Sequence, residues 1–255
     1  MLNNFKKRIN FILTGNVGST NSSFRENWLK SVLNEIPKGM KILDAGAGES
    51  QYKKFCNHLD YVSQDFAEYD GVGNSKGIHK ESRDYSNLDI ISDICSIPVS
   101  DNTFDVVICI EVFEHLPNPI DALVELTRVL KPGGILILTA PFASLTHYAP
   151  YHFATGFNKY FYEYHLKELN YKSIEITANG NYFEFLAQEI RRIKTISLKY
   201  SKIKVGILIK LAINVVLYLL NQSTKKDSGS EELLNFGYNV KCVKSNSIEQ
   251  TLKIN

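Results

Sequence analysis

With 255 residues, 44% of them hydrophobic and 22% charged, the chain is long enough to bury a full core and has an ordinary globular composition. Its 29 basic and 27 acidic residues nearly cancel, which leaves no global electrostatic footprint for DNA or RNA and excludes nucleic acid as the expected partner. Four cysteines, Cys56, Cys95, Cys109 and Cys242, fall without metal-ligand spacing. They read as free thiols of a reducing compartment, Cys95 and Cys109 in apolar, buried runs, and no metal is expected.

The N-terminal MLNNFKKRINFIL is basic and then briefly apolar, too short for a signal-peptide core and without a small-residue cleavage site, so a cytoplasmic location is expected. TGNVGSTNSS follows, and residues 1–22 read as a flexible leader to a single domain over 23–255. Ser23 and Glu26 form a capping-box pattern for a helix over about 23–36, with Trp28, Leu29, Val32, Leu33 and Ile36 on one face and Pro37 and Gly39 as the stop. Apolar runs with strand character come next: KILDA, YVSQD, LDIISDI, FDVVICIE and GGILILTAP. Between the last two, PIDALVELTRVLK places Ile120, Leu123, Val124, Leu126, Thr127 and Leu130 at helical spacing. Continuous rather than alternating apolar strands, joined by helices, predict a parallel sheet covered on both faces, hence a doubly wound α/β domain. YKSIEIT and YNVKCVK are two further strands. The long interval between them is too long for a plain loop, so a helical insertion is predicted over 185–230.

The stretch KILDAGAGES, residues 41–50, runs a strand into an acid and two glycines, a turn suited to close approach of backbone to a ligand. A pyrophosphate loop asks for G-x-G-x-x-G/A, but the third position after Gly48 is the bulky Gln51, which argues against NAD. Asp44, just before Gly46 and Gly48, would repel a pyrophosphate and suits a ligand with an ammonium group, such as S-adenosylmethionine. The carboxylate of that ligand can meet exposed N–H groups at the start of the next helix. Asp65 ends YVSQD, where its carboxylate can take both ribose hydroxyls or merely cap a helix. Asp93 and Ile94 can offer a carboxylate and a backbone N–H to an adenine, although an aspartate there also suits a turn.

In sequence order DAGAG, QD, SDI, FDVVICIEVFEHL and LKPGGILILTAP resemble the motifs of class I (type 11-like) S-adenosylmethionine-dependent methyltransferases across residues 40–141. THYAPYHFATGF and NGNYFEFLAQEIRR resemble a bacterial branch often found among cell-surface polysaccharide genes. The resemblance implies a Rossmann-like seven-stranded sheet of order 3-2-1-4-5-7-6 with its last strand antiparallel, S-adenosyl-L-methionine as cofactor, and methyl transfer. Ser50 stands where the family often has a third glycine, a departure that bears on affinity.

Transfer from a sulfonium asks mainly for positioning and desolvation, and a hydroxyl or amine acceptor also gains from a general base. His147 and His152, in the aromatic segment THYAPYHF, and His115, in EVFEHLPNP, are the candidate bases. His115 also suits capping or packing. Glu111 is expected to face the cofactor. Tyr148, Tyr151, Phe153 and Phe157 suit either stacking on an acceptor or lid packing, and Asn179, Asn181 and Glu184 are weaker candidates for hydroxyl contacts.

Arg191, Arg192, Lys194, Lys199, Lys202 and Lys204 precede the apolar run IKVGILIKLAINVVLYLL. A lysine at a bilayer centre costs roughly 2.5–3.5 kcal/mol, so Lys210 and Asn214 argue against a span over 203–220. Wound as one helix, Lys199, Gly206, Lys210, Asn214 and Asn221 make a narrow polar stripe on an otherwise apolar cylinder. Its cover is expected to be the parent domain, a second subunit in a homodimer, or peripheral contact with an anionic inner leaflet through 190–221.

The leading expectation is therefore a methyltransferase acting on a small-molecule or glycan acceptor at oxygen. The alternatives are a catalytically silent cofactor-binding partner in an envelope-polysaccharide assembly and an NAD-dependent oxidoreductase. EVFEH in place of an Asn/Asp-Pro-Pro-aromatic stretch argues against methylation of base nitrogens.

Overall fold

The computed structural model of the protein describes residues 14–74, 76–78 and 84–246, so most of the expected leader lies outside the described residues. The chain divides into two compact units, Trp28–Thr177 with Gly237–Asn255, and Met1–Asn27 with Ala178–Phe236, where a single domain was expected.

The larger unit is built on seven strands in the order β3-β2-β1-β4-β5-β7-β6, as expected. These are β1 Lys41–Ala45, β2 Asp60–Asp65, β3 Ile90–Ile91, β4 Phe104–Ile110, β5 Leu130–Pro141, β6 Tyr171–Asn179 and β7 Gly237–Lys244. The central strands pair in parallel, β1 lying between β2 and β4 and β4 beside β5. Successive side chains of a strand point to opposite faces, so burial of both Ile42 and Leu43, and of Val106 through Ile108, means that both faces of the sheet are covered. The return strand β7 runs antiparallel to β5, from Ile135 opposite Val243 to Pro141 opposite Gly237. Leu29, Leu33 and Ile36 pack on one face with Ile42, Val106, Ile108 and Ile137.

Three local expectations are corrected. The first helix, α1 Asn21–Asn34, starts ahead of the capping box, and Ser23 Oγ donates to the Thr20 carbonyl at 3.0 Å instead of capping the helix. The strand foreseen over LDIISDI shrinks to two residues, because Asp89 turns aside to accept from Ser63 N and Oγ and Asp93 folds into a turn. In the helix α2, Pro119–Val129, the buried face runs through Ala122, Leu123, Leu126 and Val129, whereas Ile120 and Val124 are 45% and 49% exposed. The rotation follows from Glu125, which turns inward to accept from Ile97 N and to pair with Arg128 at 2.7 Å each. Cys109 is buried as expected, and Cys95 only partly.

The smaller unit holds the helical insertion, α4 Tyr182–Ile196 and α5 Ile207–Lys225; the helix α3, Lys159–Glu168, belongs to the larger unit. Residues 14–20, expected as part of a flexible leader, are packed: Val17 is buried, Gly18 N donates to Glu184 Oε2 at 2.6 Å, and Arg191 Nε donates to the Val17 carbonyl at 2.7 Å. Gly18 sits at φ +73°, where a Cβ would come within 2.3 Å of Gln188 N, so only glycine fits this crossing. The single helix carrying Lys199 and Lys210 on one stripe is not formed. A π-turn over Ser197–Ser201 and a left-handed Lys202 break it, and α5 begins only at Ile207. Of α5 only Leu217 and Leu220 are buried, in a cluster with Val17 and Ala187.

The rotated face of α2 makes a direct test. Leu123→Ala is expected to lower unfolding free energy by about 2–5 kcal/mol, and Val124→Ala by less than about 1 kcal/mol. Urea denaturation of the two variants, with equal losses, would contradict the burial of this helix.

Candidate active site

Asp44, Asp65, Asp93, Ile94 and Glu111 all lie in the larger unit, after the carboxyl ends of parallel strands or at them, which is where open α/β sheets bind ligands. Gly46 and Gly48 take left-handed backbone, at φ +76° and +54°, and turn the chain out of β1. A Cβ on Gly46 would stand 2.5 Å from Val112 Cγ2, so close approach to the loop after β4 is the specific reason for glycine there. The loop holds itself together. Gly46 N and Ala47 N donate to the Gln64 carbonyl, Gly48 N to Asp65 Oδ2 at 2.9 Å, and Ser50 N to the Ala47 carbonyl. A short 3₁₀ turn, Lys53–Phe55, follows where an α-helix N-terminus was expected, so the expected cradle of exposed helix N–H groups is not built.

Asp44 is 1% exposed, and its Oδ2 accepts from the Tyr61 hydroxyl at 2.6 Å. Burial pushes its carboxyl up to about 7, partly offset by Tyr61 and reinforced by the nearby Asp65. A buried carboxylate with this bias gains strongly from a neighbouring cation. Asp65 accepts from Gly48 N through Oδ2 and from Ala67 N through Oδ1, so each oxygen keeps a further lone pair for a hydroxyl donor. Asp93 is the turn residue that its type also suits: Oδ1 accepts from Cys95 N, and Ile94 beside it is buried. Glu111 has left-handed backbone at φ +58°, and its Oε1 accepts from Thr139 Oγ1 at 2.9 Å. Asp44 and Asp65 thus fit a nucleoside bearing an ammonium group and a ribose.

The three histidines meet. Ring centroids lie 4.6 Å apart for His115 and His147, 4.9 Å for His147 and His152, and 6.0 Å for His115 and His152. Glu114, 1% exposed, lies at their base, with Oε1 3.6 Å from His115 Nε2 and 3.8 Å from His147 Nε2. His115 has the structural role its position suggested, since Nδ1 donates to the Tyr151 carbonyl and ties the loop after β4 to the loop after β5. Ser144 Oγ gives its hydrogen to the Thr155 carbonyl, so His152 Nε2–H donates to Ser144 Oγ and Nδ1 carries the lone pair. Burial, and then His147, hold His152 below its usual pKa.

Tyr148 meets Tyr69 at a tilt and Tyr151 meets it edge-on, Tyr151 also meets Phe66, and Phe153 is 55% exposed. Phe157 departs from the expected wall, because it packs against Phe113 and Phe161. Asn179, Asn181 and Glu184 have structural roles within the smaller unit: they bind Asn21, cap α4 and hold Gly18.

Residues 43–138 match the family model described as a methyltransferase domain. Over this stretch the chain is similar to methyltransferases. Curated relatives include a demethylmenaquinone methyltransferase of Renibacterium salmoninarum, 30% identical over 64% of this chain and 65% of its own length. A ubiquinone biosynthesis O-methyltransferase of Haemophilus ducreyi is 27% identical over 45% of this chain and 50% of its own length. The chain therefore spans from half to just under two thirds of these relatives. The fold is shared with a SAM-dependent methyltransferase from Archaeoglobus fulgidus, with a TM-score of 0.53 at 16% identity over 87% of this chain and 94% of that one.

The stretch so matched contains Asp44, Asp65, Asp93, Glu111, Glu114 and His115, whereas His147, His152 and the aromatic wall follow it. Sequence reasoning missed Tyr61, Gln64 and Glu114. The repeat of glutamate three residues apart in EVFEH was the available signal for Glu114. Nothing in YVSQD marks Tyr61 as the partner of Asp44.

Because folding raises the Asp44 pKa from the ordinary value near 4 to about 7, the folded state holds a proton that the unfolded state has lost, and stability falls as pH rises across that window. Asp44→Asn is expected to remove this slope. Relative to the wild type, the variant gains on the order of 3–4 kcal/mol between pH 4 and pH 8, read from denaturant titrations at both pH values. Parallel curves would show that Asp44 ionises freely.

Proposed function

We propose that this protein is an S-adenosylmethionine-dependent methyltransferase that methylates a small-molecule or saccharide acceptor at oxygen, with His152 as general base. The observation that carries the reading is the gathering, on one edge of a matched methyltransferase domain, of a buried carboxylate biased toward a cationic partner and a histidine held neutral with Nδ1 available. Asp44 would hold the cofactor's ammonium group, Asp65 its ribose, and Asp93 with Ile94 N–H its base. When bound, the cofactor supplies an electrophilic methyl group.

His152 suits the base because a proton acceptor that is already neutral near pH 7 is ready to take the hydroxyl proton of an acceptor on Nδ1. Tyr148, Tyr151 and Phe153 supply the wall against which an acceptor ring or sugar face can lie. Relatives named for demethylmenaquinone and ubiquinone biosynthesis support a small-molecule acceptor. The saccharide option, and with it a place in surface-polysaccharide synthesis, is supported by the aromatic wall alone.

The protein works at the inner face of an anionic membrane, docked through its helical insertion. Among the described residues one helix, Ile207–Lys225, is long and apolar enough to cross a membrane. Its apolar stretch is interrupted by Lys210 and Asn214, and a docked pose keeps these out of the hydrocarbon. Ile207, Leu208, Val215 and Leu219 are 70%, 76%, 68% and 62% exposed, and from residue 190 to residue 226 the chain has basic residues and no acidic ones.

Binding of S-adenosylhomocysteine, which keeps the ammonium group, is expected to tighten as pH rises through about 7 and Asp44 ionises, and Asp44→Asn should abolish that dependence in calorimetry. With radiolabelled S-adenosylmethionine and cell extract, His152→Ala should lower the turnover of methyl transfer by about 10²–10⁴-fold with little change in cofactor affinity. Unchanged turnover would remove His152 as base, and heat with NAD but none with S-adenosylhomocysteine would overturn the methyltransferase reading. In vesicle flotation the protein should rise with anionic vesicles at low salt and stay behind with neutral ones, and Leu208→Glu with Leu219→Glu should abolish the rise. A salt-independent dimer that ignores vesicles would replace the membrane with a second copy of the chain.

A further inference from the structure

We infer that Glu114, His115 and His147 form a binding site for a divalent transition-metal cation. The inference begins with proton positions. His115 Nδ1 lies 2.5 Å from the Tyr151 carbonyl oxygen, and His147 Nδ1 lies 2.8 Å from the Leu145 carbonyl oxygen. A carbonyl only accepts, so both Nδ1 atoms carry hydrogen, and in a neutral imidazole the lone pair is then on Nε2. Both Nε2 atoms face the same Glu114 Oε1, at 3.6 and 3.8 Å, and the three donor atoms lie within 4.8 Å of one another. Two imidazole nitrogens and one carboxylate oxygen are thereby brought into one small volume, with Glu114 only 1% exposed.

Such a donor set can take a metal ion with the ligands nearly as they stand. A tetrahedral ion with bonds of about 2.0–2.1 Å sets its ligand atoms about 3.4 Å apart, so only a small contraction is needed. The hydrogen bond from the far ring nitrogen to a backbone carbonyl is the support that orients metal-bound histidines and fixes their tautomer. Two imidazoles and one carboxylate suit zinc, cobalt, iron or manganese better than magnesium or calcium, which prefer all-oxygen shells. The ligands come from two loops, after β4 and after β5, and the second is pinned to the chain after β2 by Ile78 N donating to the Thr146 carbonyl and Tyr148 N to the Ile78 carbonyl. The site is therefore assembled only in the folded larger unit. No sequence motif announces it, because 32 residues separate the two histidines, which is why cysteine spacing alone led to the expectation of no metal.

With three protein ligands, a position on the ion stays open beside His152 and the aromatic wall. An acceptor hydroxyl bound there would become more acidic and pass its proton to His152 Nδ1. That use of the ion rests on the methyltransferase reading. The ion site itself does not.

The test uses the full chain, stripped with chelator and titrated with Co²⁺ and then Zn²⁺. One equivalent of Co²⁺ should bind with visible d–d absorption, and Zn²⁺ should displace it. Glu114→Gln and His147→Ala should each weaken Co²⁺ binding by at least about tenfold, with His152→Ala close to wild type. If Glu114→Gln fails to fold, the partly exposed His147→Ala carries the test, with its fold checked by circular dichroism. Binding below a tenth of an equivalent, or equal affinity in wild type and His147→Ala, overturns the inference. S-adenosylhomocysteine calorimetry on the same stripped samples separates the two conclusions. Retained nucleoside binding without Co²⁺ binding removes the ion alone, and Co²⁺ binding without nucleoside binding leaves the ion site standing and removes the functional reading.

Discussion

Negative charge taken out of water at the carboxyl edge of the sheet is the constraint that organises this protein. Asp44 and Glu114 are both about 1% exposed, and a carboxylate in that position is costly unless something positive or strongly hydrogen-bonding meets it. Around Asp44 the answer is the Tyr61 hydroxyl and a pKa carried up to about 7. Around Glu114 two histidines, tied through Nδ1 to backbone carbonyls, bring Nε2 within 3.6 and 3.8 Å of Oε1.

The loops that bear these groups are fixed by backbone. Gly73 and Gly77, at φ +52° and +81°, let the chain after β2 come against the Ala149 and Thr146 carbonyls, where a Cβ would stand 2.0 and 2.6 Å away. Asn74 N and Ile78 N donate to those same carbonyls. Glycine here serves close backbone approach, and the approach carries His147, Tyr148 and Tyr151 to the sheet edge. A single side chain on the wrong loop residue would move the histidines before it disturbed the core.

The smaller unit follows a different economy. Its interior is small, Val17, Ala187, Leu217 and Leu220, and polar ties do much of the joining, with Glu184 holding Gly18 and Thr20 and Arg191 holding the Gly15 and Val17 carbonyls. Most of the apolar surface of its long helix is left facing outward.

The sequence by itself determined the sheet. Continuous apolar runs such as VVICI and ILILTA, separated by helix periodicity, specify buried parallel strands whatever surrounds them, because period and burial are local properties of the chain. It also determined the glycine loop and the acids at the strand ends, since turns out of strands need particular residues at particular places. Tertiary structure decided the rest. Pairing of Asp44 with Tyr61, the inward turn of Glu125 that rotates α2, the retreat of Phe157 into packing and the structural use of Asn179, Asn181 and Glu184 all depend on which side chains meet across distant segments. The clustering of His115, His147 and His152 on Glu114 is the fullest case. Their residue types were visible in the chain, but the distances and tautomers that give them chemistry exist only once loops from three strands close on one another, and no spacing along a sequence encodes that closure.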